Sequence, residues 1–187
     1  MVFDPRRHHR RSIRLPDYDY GLPGTYFVTI ISANRECLFS HATFRSIAER
    51  CWLAVPPHFR DAALDAWVVM PNHFHGLVAI GSGLDTSYNH GSAAQSSHLQ
   101  TRSLGTIIGN FKSVTARRIN RVRRTPRGAV WQRNYYERIV RNERELQRIR
   151  EYIAANPARW TLDRENPQRE DLPDEWKADE DLWFGPP

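Results

Sequence analysis

The sequence predicts an α+β fold: a four-stranded antiparallel sheet built in β-α-β-β-α-β order, followed by one additional helix. Three observations predict it. Four short runs are rich in β-branched and aromatic residues, three longer runs place apolar residues at helical spacing, and the runs alternate in that order. The chain has 187 residues, enough for one domain with decorations at roughly 100–200 residues per domain.

Residues 1–20 are rich in Arg, His and Pro and have little apolar pattern. They read as a basic flexible arm ending near Pro23-Gly24, a turn dipeptide. Thr25 to Ser32 (TYFVTIIS) reads as the first strand. From Ala42 to Val55, Phe44, Ile47, Ala48, Cys51, Trp52 and Val55 recur at helical spacing, and Pro56-Pro57 is expected to stop the helix. Ala62 to Met70 and His73 to Ile80 (HFHGLVAI) read as two strands with a tight break at Pro71-Asn72, hence a hairpin.

Residues 81–102 are rich in Gly, Ser, Gln and Asn and read as a mobile loop insertion. Ser103 to Val122 carries a helical stripe from Leu104 to Ile119. The other face of that helix shows Lys112, Arg117, Arg118 and Arg121. Ala129 to Val140 reads as the fourth strand. Asn142 to Asn156 is a helix with Asn142 as N-cap, Glu145 completing a capping box, and Leu146, Ile149 and Ile153 as its apolar stripe. Pro157 is expected to push Asn156 out of helical geometry and end it. The β-α-β-β-α-β order is the ferredoxin-like pattern, with two helices on one sheet face. The other face and the last helix are then the place for a site.

Composition narrows the chemistry. Lys and Arg number 27 against 21 acids, a net of +6, and only Lys112 and Lys177 are lysines. Residues 161–187 form an acidic tail of net −6, which leaves +12 on residues 1–160. Arginine forks match phosphate. Two readings stay open at this level: a nucleic-acid partner, or a proteome that uses arginine in place of lysine. Two cysteines, Cys37 and Cys51, exclude a disulfide scaffold and a four-cysteine zinc site. They suggest a reducing, cytoplasmic setting, and a DNA-acting protein there is nucleoid-associated. No apolar run reaches the roughly 18–20 residues of a membrane span. The basic opening has no apolar stretch behind it, so no secretory signal is expected.

The pattern MPNHFHGLV puts His73 and His75 two apart on a strand, on one face. Side-by-side imidazoles suit a metal, and an HxH pair is as often structural. Tyr152 and Asn156 are four apart on the last helix, beside its apolar stripe. Tyr152 reads either as a phenol presented to a site or as an interface aromatic. Asn156 reads either as an amide ligand or as a helix end before proline.

MPNHFHGLV, SLGTIIGNFKSVTARRIN and VWQRNYYERIVRNERELQRIREYIAANPARW together resemble the REP-associated tyrosine transposases. These are relatives of the single-tyrosine HUH transposases of insertion sequences. The resemblance runs from about Gly21 to Trp160. It implies that His73 and His75 bind Mg²⁺ or Mn²⁺, that Asn156 is a third ligand, and that Tyr152 is the nucleophile, with Tyr135 and Tyr136 as weaker rivals. It also implies metal-dependent cleavage and strand transfer of single-stranded DNA beside a hairpin, through a covalent 5′-phosphotyrosine. The expected DNA contacts are Lys112, Arg117, Arg118, Arg121, Trp131, Arg133, Tyr135, Arg138 and Arg148, with Trp131 and Tyr135 stacking on bases. The expected state is monomer or homodimer. The rival readings are a non-catalytic single-stranded nucleic-acid-binding module of the same fold and a metal nuclease that uses water.

Overall fold

Four strands pair in the order β2-β3-β1-β4, every neighbour antiparallel: β1 (Gly24–Ile31), β2 (Ala62–Val69), β3 (His73–Ile80) and β4 (Tyr136–Val140). The computed structural model describes residues 22–81 and 103–169. The expected arm, the loop insertion beyond residue 81 and the tail beyond residue 169 lie outside the described residues.

β1 and β3 are buried almost throughout, as their runs of β-branched and aromatic residues require at the sheet centre. Strand alternation sorts their side chains onto two faces. Tyr26, Val28, Ile30, Phe74 and Val78 point to one face, where α1 (Ala42–Leu53) and α3 (Leu104–Arg123) pack. Phe27 and Leu77 point to the other, where α4 (Glu143–Ala155) buries Leu146, Ile149 and Ile153. The helices therefore follow the expected order, and α4 supplies the α-helical cover of the second face. Each large side chain fully buried there contributes about 1.5–3 kcal/mol.

The β2–β3 pairing carries a bulge. Leu64 pairs with Val78 and Trp67 with Gly76, so β2 advances one residue more than β3. As a result Leu64 and Trp67 both pack toward α1 and α3, while Ala66 faces α4. Asp65 is turned toward α4 as well, where it meets Arg150.

Three boundaries differ from the sequence reading. The fourth strand is only Tyr136–Val140. Upstream, Trp131 bridges Ser32, and Gln132 N–H donates to the Ile31 carbonyl. Between those contacts and β4 the carbonyls of Gln132 and Arg133 accept from Lys112 Nζ at 2.7 and 2.8 Å. A distant lysine thus takes groups that a strand would have paired. The first helix ends at Leu53, and Pro56-Pro57 opens a short turn, α2 (Val55–His58), where a missing N–H costs nothing. At Pro157 the expectation fails: Asn156 is helical (φ −53°, ψ −46°), and a 3₁₀ helix continues over Asn156–Leu162. Pro157 is accommodated because it sits in the first turn of that new helix, at its second position. This continuation carries the chain back over the sheet.

Candidate active site

His73, His75 and Leu77 occupy alternate positions of β3 and face α4. Both imidazoles are fully buried, and their Nε2 atoms stand 2.9 Å apart. Burial, followed by the charge of Arg35, pushes His73 down to about 3. Burial, followed by the neighbouring His73, holds His75 well below the usual histidine value. Both rings are therefore neutral at pH 7, the form that ligates metals.

The second nitrogen of each ring is held by a neighbour. Asn72, fully buried, donates its amide N–H groups to the carbonyls of Arg35 and Glu165. Its Oδ1 therefore faces His73 Nδ1 at 2.9 Å and accepts from it. That assigns the proton of His73 to Nδ1 and leaves the lone pair on Nε2. Thr29 lies opposite His75 in the β1–β3 register, with Oγ1 2.8 Å from His75 Nδ1. A hydroxyl donates or accepts, so His75 can adopt either tautomer.

Tyr152 lies beside the buried stripe of α4. Its hydroxyl is 3.3 Å from His75 Nε2, and its ring stands edge-on to Phe27 and His75 at 6.1 and 5.3 Å between centroids. The fold brings Tyr152 together with the two histidines, as expected from the sequence.

Asp163 joins them. The 3₁₀ helix places its Oδ2 3.7 Å from His73 Nε2, and donor atoms of His73, His75 and Asp163 lie within 4.8 Å of one another. Oδ1 accepts from the Glu165 N–H at 2.7 Å, which orients the carboxylate. Glu165 is itself buried and ion-paired with Arg35. So the start of the acidic segment is packed into the site. Sequence reasoning missed Asp163 because nine acids lie in that stretch and none has a distinguishing spacing.

Asn156, the expected third ligand, closes the end of α4. It is buried, and its Nδ2 donates to the Tyr152 carbonyl at 3.1 Å within its own helix. Of the rival tyrosines, Tyr136 packs edge-on to Phe27, and burial, the largest cause, pushes its phenol up. Tyr135 lies 5.9 Å from Lys112 Nζ on the opposite face.

The expected DNA contacts divide. Trp131 is core, packed on Phe39 and Phe111 at 4.8 and 5.7 Å, and offers no face for a base. Lys112 is tied to the two carbonyls, and Arg138 pairs with Glu145 at 2.7 Å. Arg117, Arg118 and Arg121 are exposed on α3, across the sheet from the histidines. Arg133 and Arg148 are exposed on the loop before β4 and on α4.

The donor set suits a divalent ion. Two neighbouring ligands on an octahedral ion with bonds of about 2.1 Å stand about 3.0 Å apart, close to the 2.9 Å between the Nε2 atoms. Two neutral nitrogens and a carboxylate oxygen are compatible with a divalent metal. No helix among the described residues is long and apolar enough to cross a membrane.

No protein-family model matches the chain. An uncharacterised protein of Haemophilus influenzae is 37% identical over 171 residues, spanning 83% of this chain and 92% of that protein. Among solved structures, that of the REP-associated tyrosine transposase bound to a REP hairpin aligns with a TM-score of 0.56 at 19% identity, covering 80% of this chain and 74% of that one. At that identity the likeness speaks for the fold. The chain belongs to one family with the Haemophilus influenzae protein and is built on the fold of the REP-associated tyrosine transposase.

Proposed function

We propose that the chain is a tyrosine transposase that cleaves and rejoins single-stranded DNA beside a hairpin. The observation that carries this is the Tyr152 hydroxyl 3.3 Å from His75 Nε2, next to the His73, His75 and Asp163 donor atoms. The solved structure of similar fold holds a REP hairpin, and we take a hairpin of that type as the substrate class here.

His73, His75 and Asp163 would hold the metal, Mg²⁺ or Mn²⁺. Asp163 adds a carboxylate to the donors expected from the sequence, and Asn156 donates its Nδ2 to the Tyr152 carbonyl. When bound, the ion neutralises charge on a phosphate oxygen. The remaining work belongs to the chain. Phe27 and the apolar stripe of α4 fix the Tyr152 ring, so the phenol oxygen is presented with little loss of entropy on reaction. Tyr152 Oη attacks phosphorus as the P–O3′ bond breaks. The phenol releases its proton and the departing O3′ takes one up. The product is a 5′-phosphotyrosine and a free 3′ hydroxyl. Attack by a 3′ hydroxyl reverses the step and joins strands without an external energy source.

Since one chain supplies the nucleophile and all three metal donors, a monomer suffices. The test is incubation with hairpin-bearing single-stranded DNA and Mn²⁺, followed by a denaturing gel. The expected result is a slow protein–DNA band that disappears in Tyr152→Phe and with a chelator. Cleavage that persists in Tyr152→Phe without a band would instead mark a nuclease using water. Binding indifferent to both treatments, with no cleavage, would mark a non-catalytic module.

A further inference from the structure

The aromatics expected to stack on bases are engaged elsewhere: Trp131 in the core and Tyr135 beside Lys112. Two other tryptophans, Trp67 and Trp160, line one cleft of about 470 Å³ along the outer edge of β2. Arg45 and Glu49, one turn apart on α1, line it as well. Trp67 is half-buried and stacked on Phe74 at 6.5 Å, which fixes its plane. Trp160 is half-buried, and its ring centroid lies 6.2 Å from that of His73. The cleft thus adjoins the histidine pair through Trp160.

We propose that this cleft binds one unpaired nucleobase of the DNA strand that runs through the active site. The inference rests on the function proposed above and adds a specificity site to it. The chemistry is that of a base. Indole faces suit a flat π system, and stacking of this kind tolerates every base. β2 is an edge strand; the Met70 N–H is taken by the His73 carbonyl, so in this stretch it is the backbone groups of Val69 that face away from β3. Glu49 accepts from an exocyclic amine, and Arg45 donates to ring acceptors or phosphate. Arg45 Nε is held by the Phe39 carbonyl at 3.1 Å, so that side chain is anchored rather than loose. The volume falls in the range of small-ligand pockets, roughly 300–1,000 Å³. A paired base is stacked within its duplex and has no free faces to offer. The occupant is therefore unpaired and near the scissile phosphate, because Trp160 borders both places.

The test is a DNA–protein cycle in equilibrium binding. A hairpin oligonucleotide with unpaired flanks is scanned by abasic substitution, one flank position at a time, against the full chain and against Trp160→Leu, Trp160→Phe and Trp67→Leu. The expected result is one position where loss of the base weakens binding by about tenfold. That penalty should collapse to less than about twofold in Trp160→Leu and persist in Trp160→Phe, which keeps an aromatic face. A flat scan in the parent chain, or a penalty as large as the parent's in Trp160→Leu, overturns the proposal. The covalent band separates the two readings. A normal Tyr152 band with a flat scan sinks only the base site, whereas a position-specific penalty without any band sinks only the chemistry.

Discussion

Arg150 on α4 forks onto Asp65 on β2. Its Nε reaches both carboxylate oxygens at 3.1 Å, and one terminal nitrogen reaches Oδ2 at 2.7 Å. Arg150 stands two residues before Tyr152, and the bulge at Asp65 and Ala66 turns the acid toward it. The pair ties the helix of the proposed nucleophile to the hairpin that carries the histidines.

This pair sets an acid dependence. The Arg150 guanidinium holds the Asp65 carboxyl below its ordinary value of 3.8. The folded state favours the charged carboxylate, so its stabilisation is complete above that value and is lost as pH falls through the folded one. Arg150 is about a third exposed, which limits the effect. Asp65→Asn should cost about 1 kcal/mol at pH 7 in urea unfolding. The gap to the parent should close in acid below the carboxyl's ordinary value. A gap that stays constant into acid would refute the assignment. Arg150→Ala should also slow formation of the covalent band by about 10- to 100-fold, because small displacements of a nucleophile are costly.

Asn72 selects the His73 tautomer. In the metal-free chain, ¹⁵N NMR should show His73 protonated at Nδ1. Asn72→Leu should raise the Nε2–H form and leave the Arg35 and Glu165 carbonyls without their donor, costing about 1–3 kcal/mol. Asn72→Asp keeps an acceptor for His73 Nδ1–H, so it should retain the tautomer, although its second oxygen then faces two carbonyls and destabilises the fold as well. Mn²⁺ affinity should drop roughly 10- to 100-fold in the leucine variant. A His73 spectrum unchanged by Asn72→Leu would disprove the role.

Gly76, beside His75, is where β3 passes closest to the aromatic core. A Cβ there would meet Phe74 at 2.7 Å and Trp52 at 2.9 Å, both rings fully buried. Rigid rings cannot yield as a flexible chain end does. Gly76→Ala should therefore destabilise by about 1–3 kcal/mol. A melting temperature equal to the parent's would show that the core has room after all.

Arg117, Arg118 and Arg121 lie across the sheet from the proposed chemistry. If they hold DNA, they hold a part remote from the scissile phosphate. Replacing all three with alanine should reduce the slope of log affinity against log salt by up to about 2 for a single strand. The covalent band should still form at low salt. An unchanged slope would show them to be solvated charges alone.

Some of this was legible in the sequence for reasons that are local. A two-residue period puts His73 and His75 on one face whatever surrounds them. Asn142 caps α4 as read, its Oδ1 accepting from the Glu145 N–H at 2.9 Å. Glu145 reaches the Arg141 N–H, one residue beyond the expected box. What escaped depends on distant partners. The fourth strand is shortened by Lys112, 20 residues away in the chain. The bulge at Asp65 shows only in its pairing with β3. Pro157 obeyed helix-start geometry, where the local rule predicted a stop. Asp163 became conspicuous only once Glu165, Arg35 and Asn72 had pinned its segment to the sheet.

The pinned segment bears on where this protein can be shortened. The stretch that resembles the transposases ends at Trp160, and a truncation placed there would amputate the carboxylate along with the anchors that steer it. Such a fragment should retain its sheet yet take up manganese poorly. A cut after Arg169 would keep the proposed oxygen donor while removing seven further acids.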